Sequence, residues 1–280
     1  FYTSEPMSYR GTEHYGADLI VMTRDGYMNM GQVMQQGRTV DISQFSMMIH
    51  NAITARTEDS KNRYGWQAKL VPSEGLFIFN VPLSGNRFEQ HVLNTSTMRW
   101  CRFTDLNVVC MELHSDELYG GAVDGKLYKL LSSAADRGEP IQFTCLTAYQ
   151  TFGQEGNQKH LTAAQIMSTH EQPQKIKIQA YADYEFPAIT RLPAEEFNPN
   201  EGIWSDPPPP GSVKGSQWAD EPQTDKGSFW SSGIIPVTTK GWQNVSAYGF
   251  AVALLVQFAR VNSGVIWRNT GLRFHSGGAQ

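Results

Sequence analysis

Apolar and polar positions alternate in short runs through the first half of the chain, and nearly every run is bounded by Gly, Pro, Asn, Asp or Ser. Two stretches match in kind. Residues 18–30 (Asp-Leu-Ile-Val-Met-Thr-Arg-Asp-Gly-Tyr-Met-Asn-Met) and residues 117–129 (Glu-Leu-Tyr-Gly-Gly-Ala-Val-Asp-Gly-Lys-Leu-Tyr-Lys) each carry an apolar run into Asp-Gly and out into a second run. Asp-Gly supplies the positive φ that a tight primed turn demands, so both stretches predict β-hairpins. Between them, residues 76–81, 88–94, 98–103 and 108–113 predict strands, and the turn-rich segments 82–86, 94–97 and 104–107 separate them. A spacing of about ten residues is that of an antiparallel meander. The order of strand, polar turn, Trp100-bearing strand and strand ending in Asp-Gly suits a β-propeller blade; a sandwich built from the same meander is the competing arrangement.

One segment departs from this rhythm. Over residues 41–56, Ile42, Phe45, Met48, Ile49 and Ile53 fall at helical spacing with Asp41 placed to cap, which predicts a short amphipathic helix. Residues 57–64 are polar and predict a loop, after which Gly65-Trp66 opens the next blade. The character changes again near Gly138-Glu139-Pro140. The expected organisation is therefore mainly β: propeller blades over residues 1–138, partial or complete, and a sandwich-like second β unit over residues 139–280. In that second unit residues 141–152 and 175–182 predict strands, the latter with one wet face. The apolar residues 249–261, followed by 265–268 and 271–274, would close the unit by pairing with strands far back in the sequence. Residues 187–232 carry Pro207-Pro208-Pro209-Pro210 and Trp204, Trp218 and Trp230, a composition that cannot build regular ladders, so a long excursion held by tertiary or intersubunit contacts is expected.

Composition narrows the functional classes. The 280 residues are 40% hydrophobic and 18% charged with a net charge of −4, below the roughly 25% charge of ordinary soluble domains. Such a balance argues against gripping nucleic acid by phosphate neutralisation, which needs clustered Lys and Arg. The longest apolar stretch, residues 250–258, falls short of the about 20 residues that span a bilayer, and no charged-then-apolar leader opens the chain, so neither membrane anchor nor signal peptide is expected. Cys101, Cys110 and Cys145 lack Cys-x-x-Cys spacing and are expected as buried reduced thiols.

No motif assembles a reactive site. His14, His50, His91, His114, His160, His170 and His275 are scattered, with no pair four residues apart and no His-Glu-x-x-His. A Gly-x-Ser-x-Gly elbow is absent, and residues 211–216 (Gly-Ser-Val-Lys-Gly-Ser) follow a polyproline run rather than a strand, so a plain loop outweighs a phosphate loop. Carboxylate pairs that could cleave glycans, Asp183 with Glu185 and Glu195 with Glu196, read better as solvated surface groups. Asn94-Thr95-Ser96 and Asn244-Val245-Ser246 fit a glycosylation tripeptide that is common by chance. The expectation is a protein that is no enzyme, with no catalytic residues, cofactor or metal.

Taken in order, several phrases resemble the propeller-bearing tail tube or nozzle proteins of short-tailed bacteriophages and prophages. They are residues 16–30, 64–67 (Tyr-Gly-Trp-Gln), 76–82 (Leu-Phe-Ile-Phe-Asn-Val-Pro), 90–95 (Gln-His-Val-Leu-Asn-Thr), 100–104 (Trp-Cys-Arg-Phe-Thr) and 116–125, continued by 147–153 and 158–160. The resemblance covers about residues 14–186, and the Pro-rich excursion lies outside it. It implies a structural protein of the virion tail: a ring of identical subunits, usually six, that extends the portal and adaptor downward and forms the channel for genome ejection. It further implies a dock for tail spikes or fibres, a seat for the plug or needle, and double-stranded DNA passing through the lumen without sequence-specific binding. Two Asp-Gly hairpins do not close a propeller alone, which leaves room for blades upstream of Phe1. Two alternatives stay open. A receptor- or glycan-binding tail appendage would be trimeric, with an exposed aromatic groove that could use Trp204, Trp218 and Trp230, whereas a propeller enzyme would converge acidic residues at its narrow mouth.

Overall fold

The protein is mainly β and built of several sheets. Its computed structural model describes residues 4–36, 46–133, 135–170, 176–189, 192, 237–260 and 264–276. The chain divides into two units, Phe1–Ser132 and Ser133–Gln280, a few residues before the change of character that the sequence shows at 138/139.

The first unit consists of three consecutive antiparallel meanders. Strands β1 (Thr12–Tyr15), β2 (Asp18–Thr23) and β3 (Gly26–Asn29) form the first, and two helices follow, α1 (Met30–Gln36) and α2 (His50–Ser60). Strands β4 (Gln67–Val71), β5 (Leu76–Pro82), β6 (Phe88–Asn94) and β7 (Arg99–Thr104) form the second. The third contains β8 (Val108–His114), β9 (Glu117–Ala122) and β10 (Leu127–Leu130). The first strand of each meander lies against the first strand of the next, β1 against β4 and β4 against β8.

Period-two patterning explains why β5 and β6, the inner strands of the middle sheet, have no wet face. Phe77, Phe79, Val81 and Leu93 point one way, into a core with Ile20, Met22, Tyr27, Ile53, Trp66 and Ala68. Val71, Ile78 and Val92 point the other way, onto Val108, Met111, Leu118 and Leu130. A strand covered on both faces reads as a continuous apolar run rather than an alternation, as Leu76-Phe77-Ile78-Phe79 does. Within the first core the rings form a stack: Tyr27 lies on Phe79 with centroids 4.0 Å apart, and Phe79 on Phe77 at 4.6 Å.

Both expected hairpins are present, but the two Asp-Gly pairs do different things. In the second, Gly125 sits at φ +78, its N–H donates to Ala122 O, and the Ala122 N–H donates to Lys126 O. This is a three-residue loop with glycine in the left-handed position. In the first, Thr23 already pairs with Gly26, so the turn residues are Arg24 and Asp25 and no Asp-Gly turn forms. The corner is set instead by the Thr23 hydroxyl donating to Gly26 O and the Arg24 N–H donating to Glu5 O.

The helix expected over residues 41–56 is displaced. Residues 41–45 lie outside the described residues; a 3-10 turn covers Met47–Ile49 and α2 runs His50–Ser60, through half of what the sequence suggested was a loop. Polar partners explain the extension. The Thr57 hydroxyl donates toward Arg24 O and Thr54 O, and the Ser60 carbonyl accepts the Trp66 indole N–H at 3.0 Å. Ile53 is fully buried, whereas Met48, counted with the apolar stripe, is 72% exposed.

The second unit has two sheets around one core. Strands β11 (Ala135–Asp136), β12 (Glu139–Leu146), β13 (Lys159–His170), β14 (Lys177–Ala182), β15 (Val237–Thr239), β16 (Trp242–Gly249), β17 (Val252–Arg260) and β18 (Val265–Ser276) make it up. One sheet runs β11-β12-β17-β14; in the other, β13 is flanked by β15 and β16 on one edge and by β18 on the other. Leu161, Ala164, Ile178, Val245, Val256 and Phe258 from the two sheets share a core. The expected closure from far back in sequence is present, with Phe143 opposite Phe258 and Leu161 opposite Phe274. Residues 265–276 form one strand rather than two, and β13 and β16 had no separate sequence signal. Of the excursion 187–232, residues 190–191 and 193–232 lie outside the described residues, Trp204, Trp218, Trp230 and the four prolines among them.

Candidate functional site

Two polar constructions in the first unit stand out. One is the seam where the first strands of successive meanders meet, and side chains there supply pairing that backbone ladders do not. Gln67 on β4 donates through Nε2 to Met111 O of β8 at 2.6 Å and accepts the Met111 N–H through Oε1 at 2.9 Å. Asn80 donates to both Gly65 O and Val108 O, and its Oδ1 accepts from Gln90 Nε2 at 2.8 Å. Each imitates a peptide group, which satisfies buried donors and acceptors between sheets that are not hydrogen-bonded to one another. Lys69 of β4 adds a charge link, lying 2.5 Å from the Glu112 carboxylate of β8 and 3.9 Å from that of Glu13 on β1. The hydrogen bond from Lys69 holds the Glu112 carboxyl below its usual range, while burial pushes Glu13 up.

The other is a linked set of side chains centred on the buried Glu89. Glu89 of β6 accepts from Arg56 of α2 at both oxygens, Nε to Oε1 at 2.6 Å and Nη2 to Oε2 at 3.2 Å. His91 Nε2 lies 3.3 Å from Oε1, and Arg102 Nη1 lies 3.8 Å from Oε2. His91 Nδ1 is 2.8 Å from the Tyr27 hydroxyl. Burial by itself would raise the Glu89 carboxyl, but the hydrogen bonds and charges of His91 and Arg56 outweigh it and hold it near 2. An ionised carboxylate only accepts, so Nε2 carries a proton; Tyr27 donates to Nδ1 when the ring is neutral and accepts from it when the ring is protonated. Burial, with the Glu89 charge, raises the Tyr27 phenol, which therefore stays protonated. Tyr, His and Glu in line resemble a relay, yet Tyr27 is fully buried and His91 and Glu89 nearly so. The chain clamps α2 and the first meander onto the middle sheet, with the Tyr27 hydroxyl buried inside it.

The other residues singled out from the sequence are dispersed. Asp183 and Glu185 lie past the end of β14, in a turn rather than side by side on a strand. Asp183 Oδ1 accepts the Phe250 and Ala251 N–H groups, fixing the β16–β17 corner. The Asn94 carbonyl oxygen of the side chain accepts the Ser96 and Thr97 N–H groups and caps a turn, and Asn244 lies within β16. His50 contacts Asp25 O, His114 packs on Tyr119, and His160 and His275 face each other across β13 and β18. Cys101, Cys110 and Cys145 are free thiols, but none is buried as expected: Cys101 is exposed on β7, and Cys110 and Cys145 are half-buried. Glu195, Glu196 and residues 211–216 lie outside the described residues.

Among the described residues no group of three or more His, Cys, Asp or Glu is placed to hold a metal ion, and no helix is long and apolar enough to cross a membrane. Two surface hollows, of about 200 and 190 Å³, are smaller than the roughly 300–1,000 Å³ of ordinary ligand pockets. The first is bordered by Glu74, Asp116, Glu117 and Lys129, with Lys129 already paired to Glu117; the second is apolar, beside Phe152, Leu161 and Leu272. The Glu89 chain was hidden from the sequence because Glu89 and His91 share a strand face by period two, but Arg56 arrives from a helix. No protein-family model matches the chain, and no curated protein matches it either.

Proposed function

We propose that this chain is a structural protein of a short-tailed bacteriophage tail, part of the nozzle through which the genome is ejected. In this reading the three meanders are blades of a β-propeller, and the second unit is the wall that self-associates into a ring of identical subunits. The ring would meet the portal and adaptor above and the spikes, fibres or needle below, with double-stranded DNA sliding past a lumen that does not bind it in a sequence-specific way. The observation that carries the reading is the repeated meander with first strand beside first strand, whose polar seam replaces backbone pairing. Propeller blades are separate sheets set radially about a central channel, an arrangement that brings corresponding strands of successive blades side by side. The ordered phrases between residues 14 and 186 add the family.

An exposed aromatic group favours a second reading, a receptor- or glycan-binding appendage. Tyr149 packs on Tyr184 and Phe186 at the end of β14, and Phe186 is 77% exposed. Aromatic faces on a surface suit sugar rings and protein partners alike. Electron microscopy of the purified protein separates the readings. A six-fold ring is expected, a three-fold needle would favour the appendage, and a monomer that cleaves capsular or cell-wall glycans would replace both with an enzyme.

A further inference from the structure

We propose that His160 and His275 form a chelating site for a divalent transition-metal ion on the outer face of the second unit. The register places them as direct partners on the central strand β13 and its edge neighbour β18. Their flanking pairs fix which way they point: Lys159 and Leu161 are fully buried, and Leu161 and Phe274 belong to the core, so His160 and His275 stand together on the opposite face, both exposed. Directly opposed residues of an antiparallel pair have Cβ atoms about 4.5–5.5 Å apart, close enough for two imidazoles to share one ion. On the other side of His160 stands Tyr248 of β16, its ring centroid 6.3 Å away and its residue 60% exposed, so a row of Tyr248, His160 and His275 crosses three strands.

The rings are not committed elsewhere in a way that forbids this. His160 Nε2 lies 3.5 Å from the Ser246 hydroxyl, the outer limit of a hydrogen bond, and turning an exposed ring away from it costs little. Neutral imidazole is a good donor to Cu²⁺, Ni²⁺ and Zn²⁺, and the order of affinities for nitrogen sites puts Cu²⁺ first. Two protein nitrogens leave the remaining coordination positions to water, which describes an open, surface site and a labile ion. The backbone would hold the pair in place, since β13 is paired along both edges.

The test is titration of the full chain with Cu²⁺ at neutral pH, read by calorimetry and by electron paramagnetic resonance. One saturable ion with two equatorial nitrogens is expected. His160→Ala or His275→Ala should weaken binding about tenfold or more and leave one nitrogen in the spectrum. The double variant should lose the site, whereas His14→Ala, in the first unit, should bind as the unaltered chain does. Both histidines are exposed, so the variants should melt where the parent does. Absence of saturable binding, or an unchanged affinity and nitrogen count in the double variant, would overturn the proposal.

Discussion

Replacing Glu89 by Gln would leave the Arg56 guanidinium facing a buried amide that cannot balance its charge. Removing one partner of a buried ion pair costs about 3–5 kcal/mol, and Arg56 is partly exposed, so the lower end, about 3 kcal/mol, is expected from denaturant unfolding. The pH dependence has a definite sign. The Glu89 carboxyl is depressed from 4.5 to about 2 in the folded protein, so its contribution is complete above the unfolded value and is lost as pH falls from 4.5 toward 2. Stability of the unaltered chain should therefore drop through that window, and Glu89→Gln should drop less. An equal acid slope in the two proteins would remove Glu89 from its place as the charged centre of the clamp.

At the scale of elements, glycine sites distinguish packing from backbone conformation. Gly120 on β9 has no room: a Cβ there would lie 2.8 Å from both Leu130 Cδ1 and Val108 Cγ1. Gly125 in the β9–β10 loop has open space but φ +78. Gly120→Val should cost about 1–3 kcal/mol through overpacking, and Gly125→Ala about 1–2 kcal/mol through the left-handed backbone alone, both measurable as shifts in denaturation midpoint. The contrast also shows what the sequence could reveal. Strands bounded by their own turns, such as β5, β6 and β8, were legible because local patterning and turn chemistry agree. The corner at Thr23–Gly26 and the reach of α2 to Ser60 were not, since both depend on partners outside the element itself, Glu5 for one and Trp66 and Arg24 for the other. Cross-sheet mimicry of peptide groups by Gln67 and Asn80 was equally silent, because an isolated Gln or Asn in a strand has the same spelling whether it faces water or a neighbouring sheet.

For the molecule as a whole, the nozzle reading assigns the Pro- and Trp-rich segment 187–232 to contact with a neighbouring subunit or a spike. Deleting it should abolish assembly while the monomer stays folded, measured by light scattering with circular dichroism as the control; an unchanged ring would discard that assignment. The second unit carries a consequence for biosynthesis. Strand β17 lies between β12 and β14, so those two have no hydrogen-bonded connection to each other until it arrives. A ribosome that has delivered Ala182 has thus delivered open strand edges of one sheet, while their central member, which begins at Val252, is still to come. Translational pauses or truncations in that interval would leave nascent chains liable to pair with one another, and chaperone capture should be concentrated there.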